Sequence, residues 1–201
     1  MNVAIIGYGV VGSGVHAILK DGKLGIFVKR VLDLRPIDGL EGILTDNIGD
    51  ILGDPSIDCV VEAIGGMHPA LSYVISALRA GKHAVTSNKE LISHALAPLL
   101  EGAALHSVQL RFSASVGGGV PWLHNLTRHK RGDTILSVQG IANGTTNYIL
   151  DAMAHGADFD AALREAQRLG YAEQDASADL DGIDLQRKCA ISASLAFDTV
   201  V

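Results

Sequence analysis

Short apolar runs alternate with stretches of helical period through the first half of the chain. These runs are apolar at successive positions, and a glycine-rich turn follows the first of them directly. Together the three observations predict an α/β protein built on a doubly wound parallel sheet. The runs and helical stretches fall at residues 3–6, 10–19, 27–32, 58–64, 69–78 and 83–86. Val3-Ala4-Ile5-Ile6 and Cys59-Val60-Val61 are continuous rather than alternating, as strands must be when helices cover both faces of their sheet. Gly81 ends the helical stretch just before the run 83–86, which suits a glycine C-cap leading into a strand. After Ser113 the texture changes to Gly117-Gly118-Gly119 and Pro121, then one strand-like run, 135–141. Helical patterns follow at 145–154, 160–169 and 183–197. A first domain over 1–121 and a second, α+β domain over 122–201 are therefore expected.

The 201 residues include 48% hydrophobic and 19% charged residues and 23 glycines, a composition that buries a substantial core and argues against disorder. The formal charge of −6, basic residues scattered singly and only 4% aromatics leave neither a cationic face nor stacking platforms, so nucleic acid is excluded as a partner. Strand-like residues begin at Asn2 and no apolar run reaches membrane-spanning length. A cytoplasmic protein without a membrane partner is expected. The two cysteines, Cys59 and Cys189, lack metal-ligand spacing and read as free thiols.

Gly7-Tyr8-Gly9-Val10-Val11-Gly12 matches G-x-G-x-x-G and stands where that pattern has a mechanism, between a strand and a helix. Gly7 permits the tight turn, Gly9 lets backbone approach a pyrophosphate, and Gly12 lets helix and strand pack closely, leaving phosphates at a helix N-terminus. Asp33, about 20 residues further on at the end of the second strand, is the expected partner of a ribose 2′-hydroxyl. These signs make the first domain a Rossmann-type dinucleotide-binding domain. Asp33 favours NAD, whereas Arg35 two residues later could receive the 2′-phosphate of NADP, so both cofactors stay open.

Thr86-Ser87-Asn88-Lys89 follows the run 83–86 at the carboxyl edge, where open α/β sheets bind ligands. A lysine there is more often a solvated loop charge, but the location also suits contact with a cofactor or substrate. Further on, Glu173, Asp175, Asp179, Asp181, Asp184 and Lys188 gather five carboxylates and one ammonium within about 20 residues. An amino-acid substrate would supply an ammonium to the carboxylates, and a lysine near the reacting carbon could move a hydroxyl proton during hydride transfer. Asp184 and Lys188, four apart in acid-before-base order, could equally be an ordinary surface ion pair. The acidic run does not fit the calcium-loop pattern.

Taken in order, these segments resemble the homoserine dehydrogenase family along nearly the whole chain. The resemblance rests on Gly7 to Gly12, Thr86-Ser87-Asn88-Lys89, Ala114-Ser115-Val116-Gly117-Gly118-Gly119-Val120-Pro121 and Asn143-Gly144-Thr145-Thr146-Asn147-Tyr148-Ile149-Leu150. It extends to Ala166-Gln167-Arg168-Leu169-Gly170-Tyr171-Ala172-Glu173, and to Asp179 through Gly182 with Asp184 to Lys188. It implies NAD(P)-linked interconversion of L-homoserine and L-aspartate 4-semialdehyde, in threonine, methionine and isoleucine biosynthesis. A Rossmann domain would be followed by a substrate domain that also forms a homodimer. Lys188 and Lys89, with Asp184, become the catalytic candidates, and Glu173, Asp179, Asp184 and Lys89 the substrate-binding ones. Gly7, Gly9, Val10, Val11, Gly12, Asp33, Arg35, Gly65, Ser87, Lys89 and Gly170 form the implied cofactor set.

Two departures from the family pattern stand out. Its sodium site uses backbone carbonyls, here those of Val116, Gly118 and Val120, and usually a glutamate just before Ala-Ser-Val, where this chain has Ser113. The chain also stops at Val201, soon after the Lys188 helix and without a capping signal, where family members continue. An incomplete substrate domain with exposed apolar faces on its last helices is expected from this. The alternatives to an active homoserine dehydrogenase are therefore a truncated, non-catalytic dinucleotide-binding fragment and a related dehydrogenase of another amino-acid-like substrate.

Overall fold

The first apolar run forms β1 (Asn2–Ile6), buried from Val3 onward, and the glycine turn leads straight into α1 (Val10–Leu19). In the computed structural model, which describes residues 1–22 and 24–201, the first half continues with β2 (Phe27–Leu32), β3 (Leu44–Thr45) and α2 (Gly49–Leu52). β4 (Cys59–Glu62), α3 (Ala70–Arg79), β5 (His83–Thr86), α4 (Lys89–Leu105) and β6 (Leu110–Arg111) complete it. The six strands lie in the order β3-β2-β1-β4-β5-β6, and every pairing is parallel. The chain lays β2 and β3 on one side of β1, then crosses to lay β4, β5 and β6 on the other. Such a reversal opens a crevice at the carboxyl ends of β1 and β4, where open α/β sheets take ligands. Continuous apolar strands thus produce a sheet covered on both faces, with Ile5, Ile6, Val31 and Val60 wholly buried.

The expected glycine cap at the end of α3 is present. Gly81 has φ +75, its N–H bonds the Leu78 carbonyl, and the Lys82 N–H bonds that of Ala77. This paired pattern satisfies two carbonyls that a helix end otherwise leaves open.

The chain divides into two compact units, Met1–His124 and Asn125–Val201, with the boundary inside α5 (Trp122–His129). The second unit continues with α6 (Gly144–Ala154), α7 (Phe159–Arg168), α8 (Ser177–Leu180) and α9 (Ile183–Phe197). Ile149, Ala162, Ala166, Ala172 and Ala176 form a buried cluster there, flanked by Tyr148, Ala152 and Leu163. The small alanine side chains let α6 and α7 approach closely. Asn143 and Asp158 cap these two helices by accepting the Thr146 and Ala161 N–H groups at 2.8 and 3.0 Å.

Two expectations need correction. Residues 135–141 form no strand, and Leu136 and Ile141 are 88% and 78% exposed. A strand is stable only when a neighbour pairs its N–H and C=O groups, and among the described residues of the second unit there is no other strand. The α+β expectation therefore gives way to a helical unit in this chain. The end of α9 is also capped after all. Asp198 adopts a left-handed conformation at φ +51, one of the few side-chain types that tolerates it, and Lys130 binds both the Leu195 carbonyl and the Asp198 carboxylate. Ile183, Leu185 and Phe197 on α9 are exposed.

Candidate functional site

At the carboxyl edge of the first unit, the Gly7 N–H bonds the Leu32 carbonyl at 2.8 Å and φ is +95, a turn that only glycine takes without strain. A methyl group on Gly12 would stand 1.9 Å from the Gly7 carbonyl oxygen, so the first turn of α1 can lie on β1 only because Gly12 has no side chain. Gly9 differs, because its φ of −81 is ordinary and a Cβ there would meet nothing within 4 Å. No packing demand explains a glycine at position 9, whereas a ligand approaching the backbone would. Val10 and Val11 are 92% and 49% exposed beside it, at a helix start whose Ncap residue supplies no side-chain acceptor. Open N–H groups at a helix N-terminus, a bare Gly9 and an apolar flank suit the pyrophosphate and adjoining rings of a dinucleotide.

Asp33 stands next to this turn. Its Oδ2 accepts the Tyr8 N–H at 2.8 Å, and Oδ1 accepts the Arg35 N–H at 3.0 Å. The Arg35 guanidinium binds both oxygens at 2.9 Å and reaches the Tyr8 carbonyl at 3.2 Å. The guanidinium, more than any other neighbour, holds the Asp33 carboxyl well below the usual carboxylate range. The two side chains differ in freedom, since Asp33 is 10% exposed and Arg35 66%. The acid is fixed by backbone donors, whereas the base is an exposed, displaceable counter-ion.

The third loop of this edge is organised by a residue that carries no motif. Glu62, the last residue of β4, is 1% exposed, and its Oε1 accepts the Ile64 and Gly65 N–H groups at 2.9 and 3.1 Å. Its Oε2 accepts the hydroxyl of Thr86, its partner in register on β5. Thr86 Oγ1 accepts the Asn88 N–H at 2.9 Å, and Asn88 caps α4 at Leu91 while donating to the Gly66 carbonyl at 2.7 Å. Gly65 and Ser87 are thereby held on adjoining loops, and half-buried Lys89 at the first position of α4. Only the glutamate at the end of an apolar strand could have signalled this, and it reads as an ordinary loop boundary.

In the second unit, Lys188 and Asp184 are neighbours on α9 at 2.7 Å, with side chains 19% and 5% exposed, so the pair is not a solvated surface bridge. Lys188 Nζ also donates to the Ala142 carbonyl at 2.8 Å. Asn143 Nδ2 donates to Asp179 Oδ1 at 2.7 Å and to Asp184 Oδ2 at 2.9 Å, and this bridging asparagine is likewise not a site residue that the sequence alone marks. The Thr145 hydroxyl lies between Asp179 Oδ2 and the Tyr171 carbonyl. Asp179, Asp184 and Lys188 are thus brought together. Glu173 is not, for it lies in an exposed loop whose carbonyls at 173 and 174 accept from Gln167. Gly170, at φ +80, ends α7.

For sodium the residues fit less well. The Val120 carbonyl accepts the Trp122 N–H at 2.7 Å, and Ser113 opens a 3-10 turn where a charged ligand would be needed. Among the described residues no group of three or more His, Cys, Asp or Glu side chains could hold a metal ion, and no helix is long and apolar enough to cross a membrane.

Residues 7–113 match the family model described as the homoserine dehydrogenase NAD-binding domain, and residues 121–201 match that of homoserine dehydrogenase. Homoserine dehydrogenase of Synechocystis sp. is 43% identical over 98% of the chain, which covers 48% of that relative. The Mycobacterium tuberculosis protein is 41% identical over 100% of the chain and is likewise covered over 48% of its length. Among solved structures, homoserine dehydrogenase of Thiobacillus denitrificans superposes with a TM-score of 0.88 at 37% identity, covering 98% of this chain and 49% of that one. The chain spans about half the length of the curated relatives it matches.

Proposed function

Because the chain belongs to the homoserine dehydrogenase family, we propose that it carries out, or carries the core of, the NAD(P)-dependent interconversion of L-homoserine and L-aspartate 4-semialdehyde. The reaction serves threonine, methionine and isoleucine biosynthesis in the cytoplasm. The single observation that carries the reading is the buried Asp184–Lys188 pair, tied through Asn143 to Asp179.

A bound nicotinamide cofactor supplies the hydride carrier. Gly7, Gly9, Val10, Val11 and Gly12 would hold its pyrophosphate. Asp33 and Arg35 would meet the ribose, Gly65, Ser87 and Lys89 would border the rest, and Gly170 is the contact proposed from the second unit. Lys188 spends two of its three N–H groups on Asp184 and Ala142, leaving one for the substrate oxygen. In the reducing direction that N–H delivers a proton as the aldehyde oxygen becomes a hydroxyl, and the neutral amine takes it back in the oxidising direction. Lys89 shares in orienting the substrate or moving the proton. Asp179 and Asp184 supply the anionic surface that an α-ammonium needs, and Glu173 would have to reach the substrate from its exposed loop outside that cluster. The second unit, 122–201 in this reading, is the substrate and homodimer domain. Any ion at Val116, Gly118 and Val120 would rest on neutral carbonyls, and no step is assigned to it.

The test is homoserine-dependent reduction of NAD or NADP by the purified chain beside Lys188→Ala and Lys188→Arg. Removing one partner of a buried pair costs about 3–5 kcal/mol, so thermal stability is measured in parallel. The arginine variant keeps the charge but does not give up a proton at ordinary pH, so it cannot serve as the acid or base. Turnover in the wild type that is absent from a folded Lys188→Arg protein supports the reading. Cofactor binding without turnover would leave a dinucleotide-binding protein, and preference for another amino-acid-like alcohol would indicate a related dehydrogenase.

A further inference from the structure

The Glu62 carboxylate is wholly buried, accepts from three neutral donors, and has no part in the chemistry described above. We infer that Glu62 is a positioning residue that locks three cofactor-facing loops of the sheet edge into one arrangement, acting through the Ile64 and Gly65 amides and the Thr86 hydroxyl. The inference rests on the dinucleotide reading of that edge.

A buried carboxylate is costly unless its lone pairs are filled, and here the two amides and the hydroxyl fill them. An apolar residue would fit the end of a buried strand at lower cost, so the presence of a carboxylate points to what it holds. On one side it fixes the chain from Ile64 to Gly65, where Gly65 and Gly66 have φ +82 and +69, a conformation that needs external support to be unique. On the other it orients the Thr86 hydroxyl, which receives the Asn88 N–H. Asn88 then both starts α4 and ties back to the Gly66 carbonyl. The ring of bonds is closed: Glu62 to Thr86 to Asn88 to Gly66 and back through the 63–65 backbone. The glycine turn of the first loop also rests on this ring, because a Cβ on Gly7 would come within 3.0 Å of the Ala63 carbonyl and the Ile64 nitrogen. Displacing residues 63–65 therefore moves the surface against which Gly7 and Gly9 are set. An anionic acceptor serves two backbone amides and a hydroxyl at once, which a glutamine could not do without turning one acceptor into a donor.

The experiment uses the 201-residue chain with Glu62→Gln, Thr86→Val, their combination, and Thr86→Ser, which keeps the hydroxyl. NADH affinity is read by fluorescence titration, and amide hydrogen exchange is followed at Gly65 and Leu91 without nucleotide. Glu62→Gln and Thr86→Val should each bind NADH about tenfold more weakly. The double variant should be no weaker than the worse single one, and Thr86→Ser should bind as the wild type does. Exchange at Gly65 and Leu91 should quicken together in the first two variants, although Leu91 lies a loop away from Glu62. If Glu62→Gln does not fold, Thr86→Val and Thr86→Ser carry the comparison. A folded variant with lowered thermal stability but unchanged NADH affinity and unchanged exchange at both amides would overturn the inference, since a purely structural residue behaves that way. A wild-type chain that binds no dinucleotide defeats the cofactor reading itself. The exchange measurements then still decide whether Glu62 couples the loops.

Discussion

If Asp33 and Arg35 meet the ribose as proposed, cofactor choice is a question about one exposed side chain. Asp33 cannot move away, being held by the Tyr8 and Arg35 backbone N–H groups, whereas the Arg35 guanidinium can. A ribose diol must displace that guanidinium to reach both carboxylate oxygens, and an exposed ion pair resists displacement by only about 0–1 kcal/mol. A 2′-phosphate needs the guanidinium instead, as cover for the fixed negative charge beneath it. Arg35→Ala should therefore leave NADH affinity unchanged or slightly tighter and weaken NADPH about tenfold, measured by paired fluorescence titrations. Equal losses for both would show that Arg35 only supports the loop. Asp33 and Arg35 could be picked out of the sequence because their distance from the glycine turn has a mechanism. Glu62 and Asn143 could not, since each matters through partners 24 and 41 residues away that only the fold brings near.

The glycine turn and α1 separate what packing demands from what a ligand demands. Gly12→Ala puts a methyl carbon 1.9 Å from the Gly7 carbonyl oxygen, so helix and strand must part. A loss of about 1–3 kcal/mol in a urea titration and loss of NADH binding are expected together. Gly9→Ala meets nothing within 4 Å at an ordinary φ, so the melting temperature should stay where it is while NADH binding falls. Matching destabilisation by the two variants would mean that Gly9 is structural and the open space beside it incidental. The same contrast explains what a sequence pattern can reach. β2 and β5 occupy the ranges expected from their apolar runs, 27–32 and 83–86. α4 leaves no clear pattern although it has 17 residues, because Pro98 and a break at Ala95 (φ −132) interrupt its helical period. The apolar run 135–141 misleads for the opposite reason. Its pattern suits a strand, but pairing is a tertiary fact that a single segment does not contain.

At the scale of the whole molecule, five carboxyl groups are shifted in the same direction. Asp33, Glu41, Asp54, Glu165 and Asp175 all lie below their ordinary values. The largest cause is the Arg35 guanidinium for Asp33, a backbone N–H for Glu41, Ser56 for Asp54, Arg168 for Glu165 and Ser177 for Asp175. A carboxyl group with a lowered folded pKa stabilises the native state above its unfolded value, and the benefit is lost as pH falls through the folded one. The urea midpoint should thus be flat above about pH 5 and fall between the ordinary value of 3.8 and the Asp54 value of about 2. Cys59 runs the other way, because burial pushes its thiol up to about 11, and it should resist alkylation at about pH 8 until the protein unfolds. A midpoint that rises on acidification would contradict the assigned ion pairs.

The distribution of function between the two units gives a further test. The glycine turn, Asp33, Arg35, Glu62 and Lys89 all lie within Met1–His124, which has its own six-stranded sheet and its own core around Ile5, Val31 and Leu40. Asn143, Asp179, Asp184 and Lys188 lie within Asn125–Val201, whose buried cluster is built mostly of alanines. A sheet covered on both faces buries enough apolar surface to fold alone, whereas a few alanines contribute little each, at about 25 cal/mol per Å². Residues 1–124 expressed alone should therefore fold cooperatively and bind NADH within about threefold of the whole chain, with no homoserine turnover. Failure of that fragment to bind while the whole chain binds would place an essential cofactor contact in the second unit, with Gly170 the first residue to examine there.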